Sequence, residues 1–184
     1  MTDSLQHIVA ECAKGRRDAQ ERLYRMFSAK MFGVCLRYCH DYDAAKDILQ
    51  DGFIRVFDKI HQFGNRGSFE GWMRRIIVNT ALERYRKNIT MVSLDVVQDV
   101  VDEDGYGEDD SGLSMNEMLG LVQELPDRYR LVFNLYVFED MSHKDIAQEL
   151  GISEGTSKSD LSRARMILKK KLIQTRQQMA NENG

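Results

Sequence analysis

Apolar residues recur every three or four positions through the N-terminal half of the chain, which is the spacing of amphipathic helices. Glycine or aspartate lies between successive stripes, where either can end or cap a helix, so the pattern predicts a small bundle around one apolar core. Gly52 falls inside the third stripe, where glycine costs about 1 kcal/mol relative to alanine; close approach of another backbone and simple tolerance both remain open. The stripes occupy residues 5–12, 18–40, 44–60 and 69–87.

The C-terminal half has the same spacing in shorter segments, and two of them are joined by a tight turn. Ser142 is placed to cap the first of these helices, Gly151 suits its left-handed end, and Ser153 is placed to cap a longer, cationic helix. Small Ala147 and Ala164 allow close crossing, which predicts a helix-turn-helix that reads duplex DNA. An αα-hairpin packed for stability alone is the alternative. The predicted helical segments are 117–125, 127–138, 142–150 and 153–172, so the whole chain is predicted to be all-α.

The charge distribution divides the chain, although the net charge is only −3. Residues 89–127 contain eleven acidic and no basic residues, whereas the other segments hold all 26 basic and 18 acidic residues, a net charge of +8. Phosphate neutralisation is local, so two basic halves favour nucleic-acid binding. Repeated acids and glycine oppose compaction and predict a linker. The predicted layout is a first domain at 1–88, an acidic linker at 89–116, a second domain at 117–175 and a polar tail at 176–184.

Composition and motifs exclude several other classes of protein. No run of about 18 apolar residues occurs and the N-terminus lacks the layout of a signal peptide, so we expect a soluble cytoplasmic protein. No nucleophile constellation, phosphate-binding loop or metal set is present, so we expect neither enzymatic activity nor a cofactor. Cys35, Cys39 and His40 make an incomplete metal set, and we expect these cysteines and Cys12 to be reduced core residues.

Residues 61–88 form a basic segment with six basic and two acidic residues. A turn-rich loop beside a cationic helix suits opened DNA, because cations follow the phosphates and Asn79 can bond a base edge. A core helix with a solvated basic face is the alternative. Trp72 lies on the apolar stripe, so we favour core packing over insertion between bases.

Three stretches of the sequence resemble the extracytoplasmic-function sigma factors of bacterial RNA polymerase. The stretch LVQELPDRYRLVFNLYVFEDMSHKDIAQELGISEGTSKSDLSRARMILKKKL is similar to their region 4, and DAAKDILQDGFIRVFDKI is similar to region 2.2. The pattern W-x-x-R-I-x-x-N-x-A of regions 2.3 and 2.4 begins at Trp72. The resemblance covers about residues 5–87 and 117–172. It implies a sigma region 2-like helical bundle and a region 4-like helix-turn-helix joined by the acidic linker.

The resemblance also implies a function and its partners. Such a protein binds core RNA polymerase, directs it to specific promoter DNA and promotes opening of that DNA for transcription initiation. In the family, region 2.2 docks on the polymerase clamp helices, regions 2.3 and 2.4 read the −10 element and trap a flipped base, and region 4 reads the −35 element. An anti-sigma factor that masks these surfaces is implied as a further partner. A stand-alone helix-turn-helix transcription regulator is the alternative function.

The residues that carry these roles follow from the matching motifs. The implied polymerase contacts are Asp47, Gln50, Asp51, Ile54 and Arg55. The implied −10 contacts are Gln62, Phe63, Asn65, Arg66, Arg74, Arg75, Asn79, Arg84 and Arg86. The implied −35 contacts are Lys158, Ser159, Ser162 and Arg163 near base edges, with Ser153, Thr156 and Arg165 on or near phosphate.

Two positions of the predicted recognition helix depart from the family pattern. Ser157 stands where the family usually has valine or isoleucine, and we expect it to loosen the core. Asp160 is expected to place a negative charge close to the DNA, where it would either repel phosphate or accept a hydrogen bond from a cytosine. Residues 169–171, three lysines, are read as a solvated helix end.

Overall fold

The computed structural model describes residues 4–64, 66–89 and 114–182 of the chain. Every regular element in these ranges is helical, and the chain divides into two compact units between residues 92 and 93. The predicted all-α, two-domain fold is confirmed. None of the described helices combines the length and the apolar run needed to cross a lipid bilayer.

Unit 1 is a bundle whose helices begin where the sequence offers caps. The Ser4 hydroxyl accepts a hydrogen bond from the His7 backbone N–H, and the Asp41 carboxylate accepts one from Ala44 at 2.7 Å. The elements are α1 (Leu5–Ala13), α2 (Arg17–Tyr38), α3 (Tyr42–Lys59), a 3-10 helix (Ile60–Gln62) and α4 (Phe69–Ile89).

The core of unit 1 forms where α2, α3 and α4 pack against one another, with α1 on α2. Its centre contains the fully buried side chains of Leu23, Met31, Val56, Met73 and Ile77. Each comes from an apolar stripe of the sequence, and burying a side chain of this size contributes about 1.5–3 kcal/mol. This bundle positions the outward faces of α3 and α4.

Gly52 allows α3 and α4 to approach closely. A Cβ at position 52 would collide with Cδ1 of Ile77, which is itself fully buried. The sequence left close approach of another backbone and tolerance open, and close approach is what the structure has: the backbone Cα of Ile77 lies 3.6 Å from where that Cβ would be.

The three cysteines are buried and none of them is in a disulfide, as the sequence predicted. Burial raises the pKa of Cys12 to about 11 and that of Cys35 to about 12. Both thiols therefore stay protonated near neutral pH and pack as small apolar groups.

Unit 2 contains α5 (Met115–Gln123), α6 (Asp127–Val137), α7 (His143–Leu150) and α8 (Glu154–Glu182). Helix α5 begins two residues earlier than predicted, because the Ser114 side chain and Glu117 form a reciprocal capping box. Helix α4 continues to Ile89, so both ends of the predicted linker are helical, and residues 90–113 lie outside the described residues. Helix α8 continues through most of the predicted polar tail.

Arg130 is a buried cation to which the sequence assigned no role. Its guanidinium donates to the carbonyl oxygens of Leu125 at 2.9 Å and Gln123 at 3.1 Å, and it pairs with Asp127. It thereby satisfies carbonyl groups at the end of α5 that have no partner within that helix. This bond network fixes the corner between α5 and α6.

Candidate nucleic-acid and polymerase interfaces

The turn between α7 and α8 has the geometry of a helix-turn-helix. Ser142 caps α7 by accepting from the Asp145 backbone N–H at 3.2 Å, and Gly151 ends it in the left-handed conformation with φ of 68°. Ser153 accepts from the Thr156 backbone N–H at 3.0 Å at the start of α8. Ala147 and Ala164 are both buried, as close crossing of two helices requires.

The predicted −35 residues divide between the surface of unit 2 and its interior. Lys158 is exposed, while Ser159, Ser162 and Thr156 are half-buried. Arg163 is only 8% exposed, and its guanidinium donates to the Tyr129 hydroxyl at 3.4 Å. A base contact by Arg163 would require the side chain to leave this position.

Arg165 is half-buried, and its guanidinium lies 5.6 Å from the ring centroid of Tyr136. This is the geometry of a cation–π contact. The contact orients Arg165 along the flank of α8, on the side of α6.

The expectation that Asp160 adds negative charge close to DNA is wrong. Asp160 has no exposed surface, and its carboxylate pairs with Arg128 of α6 at 2.7 Å. Burial raises the pKa of Asp160, and the neighbouring Arg128 and Arg163 act against that rise. Asp160 is therefore a structural anchor between α6 and α8, which its sequence position, three residues from Arg163, did not reveal.

The expectation that Ser157 loosens the core also needs correction. Ser157 is fully buried, and its hydroxyl lies 2.9 Å from Nδ1 of His143 at the start of α7. The His143 ring stacks on Tyr136 of α6, with 4.7 Å between ring centroids. One imidazole thus joins three helices of unit 2, and the buried hydroxyl has a hydrogen-bond partner.

The predicted −10 residues of unit 1 form a largely exposed surface, hereafter the α4 face. Gln62, Arg66, Arg75, Asn79 and Arg86 are exposed, whereas Arg74 and Arg84 are half-buried. Asn65 lies outside the described residues. The face therefore presents cations and the amides of Gln62 and Asn79 to solvent, which suits a nucleic-acid backbone and a base edge.

Phe63 is the exception on this surface because its ring is already packed. It is half-buried, and its centroid lies 5.0 Å from that of Phe69 and 5.5 Å from that of Trp72. Trp72 also contacts Phe69 at 5.5 Å. The aromatic cluster holds the loop before α4 against the bundle, in agreement with the expected packing of Trp72.

The predicted polymerase contacts form a second surface, hereafter the α3 face. Asp47, Gln50, Asp51 and Ile54 are exposed, and Ile54 keeps 53% of its surface accessible. Beside it lies a groove of about 500 Å³ whose lining includes Tyr24, Leu49, Phe53 and Phe57. The groove is lined mainly by apolar and aromatic side chains, with Lys46 and Gln50 as its polar members, and a surface of this type is one that a partner protein covers.

Two ion pairs join the α3 face to α4. Arg55 pairs with Glu83 at 2.6 Å, and Arg84 pairs with Asp47 at 2.9 Å. The sequence predicted Arg55 and Asp47 as polymerase contacts and Arg84 as a DNA contact. It did not predict that Arg84 pairs with Asp47, or that Arg55 pairs with Glu83. Residues 28 and 37 positions apart in sequence carry no local signal of such contacts.

Two family models match the chain, one in each unit. Sigma-70 region 2 matches residues 23–89, and Sigma-70, region 4 matches residues 115–168. The ECF RNA polymerase sigma factor SigW of Bacillus subtilis is 28% identical over 176 residues, which cover 89% of this chain and 94% of the relative. The RNA polymerase sigma-H factor of Pseudomonas aeruginosa is 29% identical over 182 residues, which cover 91% and 93%.

A solved structure supports the fold. The sigma factor RpoE in its complex with the anti-sigma factor NepR from Bartonella quintana has a TM-score of 0.50 and 21% identity to this chain. The match covers 84% of this chain and 96% of the other.

A region 2 unit followed by a region 4 unit defines an initiation factor of the sigma-70 type. The chain belongs to the extracytoplasmic-function sigma factors, and as an RNA polymerase sigma factor it directs promoter-specific transcription. The alternative of a stand-alone regulator is not favoured, because a helix-turn-helix regulator would not need a complete region 2 unit.

Proposed function

We propose that the two units divide promoter recognition between opened and duplex DNA. Unit 1 binds core RNA polymerase through the α3 face and contacts the opened −10 element through the α4 face. Unit 2 reads the −35 element with α8 in the major groove. The predicted domain limits, 1–88 and 117–175 around an acidic linker, serve this division.

The observation that carries the proposal is the display of the α3 and α4 faces on one small bundle. The α3 face is acidic with an exposed isoleucine, and the α4 face is cationic with Asn79 exposed. Surfaces of opposite charge on one rigid body suit two different partners, one a protein and one a nucleic acid. Opening of the DNA is then stabilised by phosphate contacts and by capture of an unstacked base.

In unit 2, the proposal assigns the base-reading role to the outward positions of α8. Lys158 is a point charge near the base edges or phosphates, and Ser159 and Ser162 are short hydrogen-bonding groups on the same helix. Ser153 and Thr156 occupy the N-terminus of α8, where the backbone N–H groups and helix dipole favour phosphate. Arg163 does not contact a base in this proposal; its guanidinium holds α8 against α6 through the Tyr129 hydroxyl.

Three further properties belong to the proposal. The protein performs no chemistry itself and relies on polymerase for catalysis. It acts in the cytoplasm, where polymerase and promoter DNA meet. An anti-sigma factor covers the α3 face, for which the exposed groove beside Ile54 is the supporting observation; the RpoE relative is itself solved with an anti-sigma factor.

The test measures the contribution of each unit to DNA binding separately, in the reconstituted holoenzyme. Lys158→Ala should weaken binding to a promoter fragment that contains only duplex −35 DNA, by roughly 1 kcal/mol if one phosphate contact is lost, and leave binding to a pre-opened −10 fragment unchanged. Asn79→Ala should do the reverse. If either variant weakens both fragments equally while core binding is intact, the division of labour is wrong.

A further inference from the structure

The Arg84–Asp47 ion pair joins the two faces of unit 1 that serve different partners. Asp47 lies on the α3 face, which we assign to polymerase, and Arg84 belongs to the α4 face, which we assign to DNA. Their side chains are 61% and 40% exposed, so both are accessible to a partner. For each residue, an external binding partner would therefore compete with the ion pair.

The neighbouring Arg55–Glu83 pair has the opposite arrangement of charges. Here the cation lies on the α3 face and the carboxylate on α4. Glu83 belongs to neither set of predicted contacts. The two pairs together hold α3 and α4 side chains of both signs against each other.

The ion pair with Asp47 lowers the affinity of Arg84 for a phosphate group in the free protein. A guanidinium that contacts a carboxylate is locally neutralised, so contact with phosphate requires exchange of one anion for another. Exposed ion pairs are weak, so the exchange is easy once Asp47 is engaged elsewhere. Cationic groups of a polymerase surface that bind Asp47 would release Arg84.

We propose that Asp47 is a positioning residue that holds Arg84 away from DNA in the free protein and releases it when polymerase occupies the α3 face. This inference rests on the proposed function, since it takes Arg84 as a DNA contact and Asp47 as a polymerase contact. Glu83 acts in the same way on Arg55, which polymerase draws away from α4. Binding of polymerase and contact with opened DNA thereby favour each other, because each frees a group that the other uses.

The experiment measures binding of the free full-length protein to a short fluorescein-labelled single-stranded DNA of mixed sequence, by fluorescence anisotropy at several salt concentrations. A mixed sequence is sufficient because a phosphate contact by Arg84 is independent of base identity. Asp47→Asn should tighten this binding by about two- to five-fold, the range expected for loss of one exposed ion pair. Arg84→Gln in the Asp47→Asn background should remove the gain.

Asp58→Asn is the matched control. Asp58 is an exposed carboxylate of the same helix that lies outside the two ion pairs, so its removal changes the net charge by the same amount. Equal tightening by Asp58→Asn and Asp47→Asn would overturn the proposal, since general attraction would then explain the gain. Persistence of the gain without Arg84 would overturn it as well.

A second measurement separates this proposal from the proposed function. With core polymerase at saturating concentration, Arg84→Gln should reduce promoter opening, measured by reactivity of unpaired thymines to permanganate. If it opens promoters normally, the assignment of Arg84 to DNA fails. If it impairs opening while Asp47→Asn leaves binding by the free protein unchanged, the DNA contact stands and the positioning role of Asp47 is wrong.

Discussion

Nδ1 of His143 and the hydroxyl of Ser157 lie 2.9 Å apart across the helix-turn-helix, where the family usually places an apolar side chain at position 157. The hydroxyl is fully buried, so the imidazole supplies the hydrogen-bond partner that it would otherwise lack. The stack of His143 on Tyr136 holds the ring in place. The pair ties the start of α7 to the first turns of α8, next to Lys158 and Ser159.

This arrangement makes the stability of unit 2 sensitive to acid. Burial, followed by the charges of Lys158 and Arg165, lowers the pKa of His143, and the charge of Glu154 opposes them. The unfolded chain therefore takes up the proton first, so the contribution of His143 is complete above the unfolded pKa of about 6.5 and is lost as the pH falls through the lower folded value. Urea denaturation between about pH 8 and pH 5 should show this loss in the wild type.

The variant His143→Phe isolates the effect of the titration, because it keeps an aromatic ring on Tyr136 and has no proton to bind. The difference in unfolding free energy between wild type and variant should shrink or change sign as the pH falls. A difference that is constant across this range would show that His143 does not titrate differently in the folded protein. Ser157→Val keeps the imidazole and should retain a pH dependence.

Breaking the Arg128–Asp160 pair from the arginine side should strongly destabilise unit 2. Asp160 is fully buried, so Arg128→Ala leaves an unpaired carboxylate in the interior, at a cost of about 3 kcal/mol in unfolding free energy. Arg128→Ala/Asp160→Leu removes both charges and should recover part of that loss. Chemical denaturation followed by circular dichroism measures both, and Arg75→Ala, at an exposed site of unit 1, is the control. A loss within error of that control would mean that Asp160 is hydrated or paired otherwise.

Gly52→Ala should destabilise unit 1 even though alanine is the better helix former. The new methyl group meets Cδ1 of Ile77 in a packed core, and such overpacking costs about 1–3 kcal/mol, against about 1 kcal/mol gained in helix propensity. Ile77→Val removes the atom that collides. The double variant should therefore be more stable than Gly52→Ala alone, although Ile77→Val by itself should cost about 1 kcal/mol. Thermal unfolding of the four proteins completes the cycle, and strict additivity would refute the contact.

The sequence predicted the helices of both units because their apolar stripes are long and their caps are explicit. Gly151 and Ser142 bound α7 as their residue types require. The start of α5 was placed too late, although Ser114 and Glu117 carry a recognisable capping-box spacing. Residues 176–184 were predicted as a polar tail because their apolar spacing ends, yet α8 continues to Glu182. The signal that could have predicted this is the glutamine-rich sequence with no glycine before Gly184.

The sequence could predict which site residues are exposed only where helical spacing places them opposite an apolar stripe. The exposure of Asp47, Gln50, Asp51 and Ile54 follows from the stripe on the other side of α3. The burial of Asp160 and Arg163 does not, because it depends on Arg128 and Tyr129 of another helix. Charged residues are rarely buried unless paired, and a partner more than thirty positions away leaves no trace in local sequence.

The most direct test of the account is run-off transcription from a library of genomic DNA fragments with core RNA polymerase, in the presence and absence of this protein. We expect transcripts that begin downstream of a shared pair of −10 and −35 elements and that require both components. Lys158→Ala should deplete the fragments that depend on the −35 element, and Asn79→Ala should depress opening throughout the set. Tight operator binding by the pure protein, together with no new transcripts in the presence of core enzyme, would contradict it.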